Sequence, residues 1–319
     1  MPGFIRRLAP RRFRNWIGAS IERRVHSAMD PRMDEIQEEA SLLRSEVVSL
    51  GIELTRVREE ASRLHRESRG VLDGIFDRVP ELRGELLRVR KTAEYVRTFE
   101  EKEPLVTVRM ATYNRGDLLF ERAVPSVLAQ TYPRFELVIV GDGCTDDTEE
   151  RLRGIGDARV RFVNMPHQAI YPTDPRQRWM VAGAPAMNLA AELARGLWIA
   201  PIDDDDEFTP DHLAVLLETA LAGRFEMVCS RFASAQAGGD RVLGRYPPAL
   251  GHFTFQAAMY MAELRMFEYE TRAWLLDEPG DWNLCRRMLE AGVRIGWSES
   301  VLTRVHPTGP RLEGSDRVG

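Results

Sequence analysis

The 319-residue chain predicts an α/β domain behind a long helical extension. Two patterns and one composition carry that prediction. From Leu105 onward, short apolar runs alternate with helical segments, which is the grammar of an α/β sheet. Between Met33 and Ile75, apolar residues recur on a heptad, the pattern of a coiled coil. With 44% hydrophobic and 8% aromatic residues the chain can bury a real core. Its length suits about two structural units.

Residues 1–28 form the first segment. Phe13, Trp16, Ile17, Ile21 and Val25 recur at helical spacing opposite Arg12, Arg14, Arg23 and Arg24. Such a helix suits peripheral contact with an anionic membrane surface, or a solvated leader packed on its own protein. Residues 29–100 follow as a coiled-coil region for homo-oligomerisation. Met33, Ala40, Val47, Leu54, Ala61, Ser68 and Ile75 occupy one seam position, and Ile36, Leu43, Leu50, Val57, Leu64 and Val71 the other. Only Ser68 is polar among them, and Glu and Arg crowd the intervening positions, giving a rod of about 70 Å at the helical rise. Pro80 is expected to break the helix, with a second helix carrying Leu82, Leu86, Val89, Ala93 and Val96 into the next domain.

The α/β domain is expected over 104–310, ahead of a tail at 311–319. Its strands are Leu105–Ala111, Phe135–Gly141, Val160–Met165, Leu197–Ile202 and Met227–Phe232. Helices are expected near 117–130, 146–153, 184–195, 210–222 and 281–291, with Thr209 capping the fourth. A net charge of −5 argues against a nucleic-acid binder. Three scattered cysteines suit a reduced, cytoplasmic setting, at most peripheral to the inner membrane face. No apolar stretch is long enough to span a bilayer or serve as a signal peptide, so the mature chain is expected to begin near Met1.

Sites in open α/β sheets gather where strands end. The first strand runs into Thr112-Tyr113-Asn114-Arg115, the second into Asp142-Gly143-Cys144-Thr145-Asp146, and the fourth into Asp203-Asp204-Asp205-Asp206. Arg176, Arg178 and Asn188 sit where they can meet an anionic ligand. Crowded carboxylates on a strand-end turn supply hard oxygen ligands, and a divalent cation there would bridge them to phosphate oxygens. Some of the four could instead be solvated or cap local backbone, Asp206 foremost.

These motifs, in this order, resemble a family 2 glycosyltransferase with the GT-A fold, over roughly two-thirds of the chain. Val106–Arg115 resembles the family's opening strand and turn. Phe135–Asp146 resembles its second strand and Asp-Asp-Gly-Ser-Thr-Asp turn, with Gly141 and Cys144 as departures, and Asp203-Asp204-Asp205 resembles its Asp-x-Asp motif. The resemblance implies a nucleotide-diphosphate sugar donor contacted by Thr112, Asn114, Arg115, Asp142, Arg178, Asn188, Asp203 and Asp204. It implies Mg²⁺ or Mn²⁺ on Asp205, with Asp203 and His306 in its shell. It further implies inverting transfer to a hydroxyl acceptor, in surface polysaccharide or glycolipid synthesis.

Glu278-Pro279-Gly280-Asp281-Trp282 resembles the family's late Glu-Asp region, which implies Asp281 as the base that deprotonates the acceptor. The competing reading of Asp281 is a helix N-cap, and Glu278 is the alternative base. Trp282 is the aromatic candidate for the acceptor site. Two other functions compete. A sugar-1-phosphate nucleotidylyltransferase would open on a glycine-rich loop, and a non-catalytic coiled-coil scaffold would have little use for Asp203, Asp205 and Asp281 together.

Overall fold

The structure is a computed structural model and describes residues 11–76 and 78–306. The tail expected at 311–319 and the first ten residues lie outside the described residues. The chain divides into two compact units, Met1–Arg69 and Gly70–Gly319.

Most of the first unit is one helix, α1 (Arg11–Phe76), which runs on into the second. Along it Ile36, Leu43, Val47, Leu50, Leu54, Val57 and Leu64 are all exposed, as a heptad seam is when a chain is viewed singly. Trp16 and Ile21 of the basic segment are exposed too, while the side chains of Phe13, Ile17 and Val25 lie outside the described residues. No helix among the described residues is long and apolar enough to cross a membrane.

The second unit begins with two short helices, α2 (Val79–Val89) and α3 (Ala93–Glu100). Pro80 sits in the first turn of α2, where its missing N–H costs nothing, so the helix break precedes it. Sequence periodicity assigns both helices to the coiled-coil region. Instead Leu82, Leu86, Tyr95 and Phe99 are buried in the core of the α/β unit, and Phe99 meets Trp198 edge to face at 5.9 Å. Buried Glu226 accepts from Arg90 Nε (2.7 Å), Arg90 Nη2 (2.8 Å), Tyr95 Oη (2.7 Å) and Arg294 N (2.7 Å). Burial alone would raise this carboxyl, but those donors outweigh it and hold it below its usual range.

Then follow β1 (Val106–Thr112), α4 (Gly116–Leu118), a π-turn at Leu119–Ala123, α5 (Val124–Leu128), β2 (Phe135–Gly141), α6 (Thr148–Gly154) and β3 (Val160–Asn164). Next come α7 (Pro175–Val181), α8 (Ala184–Glu192), β4 (Trp198–Asp203), β5 (Glu207–Phe208), α9 (His212–Gly223), β6 (Met227–Ser234) and β7 (Arg241–Leu243). The chain closes on β8 (Ala258–Met261), α10 (Gly280–Ala291) and β9 (Ile295–Val305).

The described strands form one sheet in the order β3-β2-β1-β4-β8-β6-β9-β5, with β7 on β6. The first four are parallel, and the apolar runs of β1, β2 and β4 are buried on both faces, as helix-covered strands require. Register sets Thr112 beside Gly141, Ala111 beside Asp203 and Gly141 beside Asn164. Three polar turns are thereby gathered at one sheet edge. On one face the small side chains of α8, Ala186 and Ala190, let that helix approach Val138 and Val140 closely. Thr209 is no cap: its hydroxyl donates to Leu302 O, and Asp211 is the N-cap residue of α9.

Candidate active site

The turn after β4 separates the four aspartates that the sequence presents as a run. Asp204 turns toward β1, accepting from Thr112 Oγ1 (2.7 Å) and Arg115 Nη1 (3.0 Å). Asp203, Asp205 and Asp206 instead converge, with one carboxylate oxygen of each within 4.8 Å of the others. Burial raises Asp203 to about 8, helped by repulsion from Asp281, Asp205 and Asp204. Asp206 rises well above its usual value from burial and then Asp203. Burial also lifts Asp204 to about 6, against the opposing pull of Arg115 and Thr112.

Asp205 Oδ2 is a buried oxygen without a hydrogen bond. Arg115 Nη1 lies 3.1 Å from it as an ion pair. Three crowded, largely buried carboxylates with one arginine against Asp205 fit a hard divalent cation. Asp206 thus stands in the cluster where sequence reasoning placed His306. The His306 imidazole is held elsewhere, Nε2 lying 2.9 Å from Glu207 Oε2, while its backbone N–H donates to Asp206 Oδ1 (2.7 Å).

Two adjoining cavities meet at Asp203 and Asp205. The first, about 410 Å³, is lined by Thr112, Arg115, Asp142, Tyr171, Arg178 and Gly183 among others. The second, about 380 Å³, is lined by Asp206, Thr254, Gln256, Asp281, Trp282 and His306 among others. Most of the residues predicted for the donor line the first, and two of the three candidates for the acceptor side, Asp281 and Trp282, line the second.

Three further donor candidates have their polar groups engaged within the protein. Asp142 accepts from Ala169 N (2.9 Å) and Tyr171 Oη (2.7 Å), which locks the 167–171 loop over the turn. Gly143, at φ +73°, has no room for a side chain, since a Cβ would meet Gln168 N at 2.3 Å. Asn114 Oδ1 accepts from Thr145 N (2.8 Å) and so ties the first turn to the second. Asn188 lies outside both cavities: its amide clamps the backbone of Tyr269, accepting from Tyr269 N (2.8 Å) and donating to Tyr269 O (3.0 Å). Arg178, exposed, sits 5.6 Å over the Tyr171 ring, whereas Arg176 pairs with Asp277 on the surface at 2.9 Å.

Gly141 and Cys144 share one explanation. A Cβ at Gly141 would strike Asn164 Oδ1 at 2.5 Å. That amide oxygen accepts from Cys144 N (2.9 Å), and Asn164 Nδ2 donates to Cys144 O (2.8 Å). Asn164 therefore occupies the space of a larger side chain and fixes the turn itself.

Asp281 is not the N-cap of α10, which is Pro279. Its Oδ2 accepts from Phe255 N (3.0 Å) and Thr254 Oγ1 (3.2 Å), and its Oδ1 from Tyr269 Oη (2.9 Å). Gln256 Nε2 donates to Asp203 Oδ2, joining this side to the acidic cluster. Glu278 is unsuited to the role of base: it is buried away from both cavities and bonded to Asn283 (3.0 Å) and Arg286 (2.8 Å). Thr254, Gln256, Tyr171 and Tyr269 carry no spacing signal that sequence reasoning could have used. Arg109 did carry one, a charge in the middle of an apolar strand.

Comparison with known proteins decides the family. Residues 107–276, more than half of the chain, match Glycosyl transferase family 2. The chain belongs to that family. Succinoglycan biosynthesis protein ExoO of Rhizobium meliloti is 36% identical over 120 residues, 38% of this chain and 31% of the relative. Hyaluronan synthase of Pasteurella multocida is 27% identical over 211 residues, 65% of this chain and 19% of the synthase. The chain thus spans well under two-thirds of these relatives. Among solved structures, S. aureus TarS 1-349 in complex with UDP is similar with a TM-score of 0.51 at 14% identity, covering 63% of this chain and 60% of that 1-349 chain. The family 2 chain has the GT-A fold expected from its motifs.

Proposed function

We propose that this family 2 chain is an inverting, divalent-metal-dependent glycosyltransferase that moves a sugar from a nucleotide-diphosphate sugar to a hydroxyl acceptor. Surface polysaccharide or glycolipid synthesis is the setting that its relatives favour. The observation that carries the reading is the meeting of two cavities at Asp203 and Asp205, with Asp281 in the wall of the second.

The donor belongs in the first cavity, between Arg115, Arg178 and the Thr112 turn, with its diphosphate at the acidic cluster. Asp203, Asp205 and Asp206 would hold a Mg²⁺ or Mn²⁺, which supplies positive charge against the departing diphosphate. The acceptor enters the second cavity beside Trp282. Its hydroxyl oxygen attacks the anomeric carbon as the bond to the diphosphate breaks, and its proton passes to Asp281. Among the described residues Oδ2 of Asp281 accepts two hydrogen bonds and Oδ1 one, so Oδ1 retains acceptor capacity for that proton.

The test is transfer and binding with a panel of UDP- and GDP-linked sugars in Mn²⁺. Asp205→Ala is expected to lose donor binding. Asp281→Asn is expected to keep binding and lose turnover by about 100-fold or more. Undiminished turnover in Asp281→Asn removes the base assignment, and donor binding that ignores chelation of the metal removes the cation.

A further inference from the structure

Arg109 stands in the middle of β1, in register with Val138 on one side and Pro201 on the other, and is 1% exposed. The strand would pack as well or better with an apolar residue there, because a buried guanidinium loses its hydration. No carboxylate among the described residues pairs with it directly. Two phenols face it instead: Nη2 donates to Tyr269 Oη (2.9 Å), with the guanidinium carbon 5.1 Å from that ring's centre, and Tyr260 lies against it as well. Among the described residues its buried Nε finds no hydrogen-bond acceptor.

The direction of the bonds follows from the groups. A guanidinium only donates, so the phenol oxygen accepts from Arg109 and must send its own proton elsewhere. It sends it to Asp281 Oδ1, 2.9 Å away. The Tyr269 backbone is meanwhile gripped on both its N–H and its carbonyl by Asn188 of α8. Burial, and then the Asp281 charge, raise this phenol well above its usual value, so it stays a donor. β1 and α8 thus fix Tyr269 from two elements, and Tyr269 fixes the one carboxylate oxygen that retains acceptor capacity.

We propose that Arg109 and Tyr269 are positioning residues for the acceptor-activating carboxylate: the buried guanidinium orients the phenol, and the phenol aims Asp281 Oδ1 at the acceptor hydroxyl. This rests on the role of Asp281 given above. The arrangement accounts for a costly charge in a central strand, since a fixed cation two bonds removed from Asp281 also offsets the repulsion it meets from the aspartate turn. Neither residue lines the first cavity, where the donor belongs.

The experiment uses the full chain with Arg109→Met, Arg109→Lys, Tyr269→Phe and Asp281→Asn, measuring kcat, donor KM and melting temperature with UDP- and GDP-linked sugars in Mn²⁺. Tyr269→Phe and Arg109→Met are each expected to lower kcat about tenfold or more with donor KM within about twofold. Arg109→Lys is expected to recover part of the loss, and Arg109→Met is expected to melt no lower than the parent. Combining Tyr269→Phe with Arg109→Met is expected to add little, because the arginine acts through the phenol. Unchanged kcat in Tyr269→Phe, or a kcat loss matched by a loss of folded protein, overturns the proposal while Asp281→Asn remains inactive. An active Asp281→Asn instead overturns the role of the base itself, which keeps the two failures apart.

Discussion

His212 illustrates how far burial alone can move a side chain. It is fully buried at the start of α9, stacked on Phe208 at 3.6 Å, with Nδ1 3.0 Å from Leu302 O. Burial pushes its imidazole down to about 3, against the opposing pull of the Leu302 carbonyl. The folded chain therefore refuses a proton that the unfolded chain accepts near pH 6.5. The stability from this group is full above about pH 6.5 and is lost as the pH falls toward about 3, at about 1.4 kcal/mol per pH unit. His212→Asn keeps a donor near the Nδ1 position but cannot titrate. Urea unfolding at pH 4 and pH 6 is expected to show a smaller pH difference in the variant by about 2 kcal/mol, and parallel losses would refute the assignment. The same residue-level physics limits what a sequence shows. The placing of Asp203, Asp205 and Asp281 beside the two cavities was readable, because strand-end and helix-start positions suffice for it. The side-chain partners of Asn188 and His306 were not, because Tyr269 and Glu207 lie 81 and 99 residues away.

At the scale of elements, legibility followed how each strand meets its neighbours. β1, β2 and β4 are buried along nearly their whole length because helices cover them, so each reads as a largely apolar run despite Arg109 and Glu136. β8, β9, β5 and β7 are short, bulged or half exposed, and only pairing with β4, β6 and one another makes them strands. α1 is the opposite case, a 66-residue helix whose regularity needs no tertiary partner to be seen. Its seam still needs one to be stable, since Leu50 is 63% and Leu54 71% exposed in the single chain. We propose that α1 pairs with α1 of another copy along this seam. Sedimentation of the full chain is expected to give an oligomer, and Leu50→Glu with Leu54→Glu is expected to shift it toward monomer without altering donor binding. A parent that sediments as a monomer at micromolar concentration would end the coiled-coil reading.

At the scale of the whole molecule, the boundary between helical extension and α/β unit is where sequence and structure part. Periodicity draws the line at 100–104, because Leu82, Leu86, Val89, Ala93 and Val96 continue an apolar stripe much like the heptad before them. A stripe does not say what covers it. In the fold Leu82, Leu86, Tyr95 and Phe99 are covered by the α/β core, and Arg90 and Tyr95 complete the shell of buried Glu226. At about 1.5–3 kcal/mol per buried large side chain, those four contribute about 6–12 kcal/mol, comparable with the whole stability of a domain. Stripping Arg90 and Tyr95 from Glu226 would add the cost of a buried carboxylate short of donors. A chain starting at Gly70 is therefore expected to melt cooperatively and bind donor like the parent, whereas one starting at Pro104 is expected to be insoluble or unfolded. Adding Glu226→Gln to the shorter chain should not rescue it, because the apolar loss alone exceeds what the domain can spare. A well-folded chain from Pro104 with the parent's melting temperature would show that α2 and α3 belong to the extension after all, as their periodicity suggests.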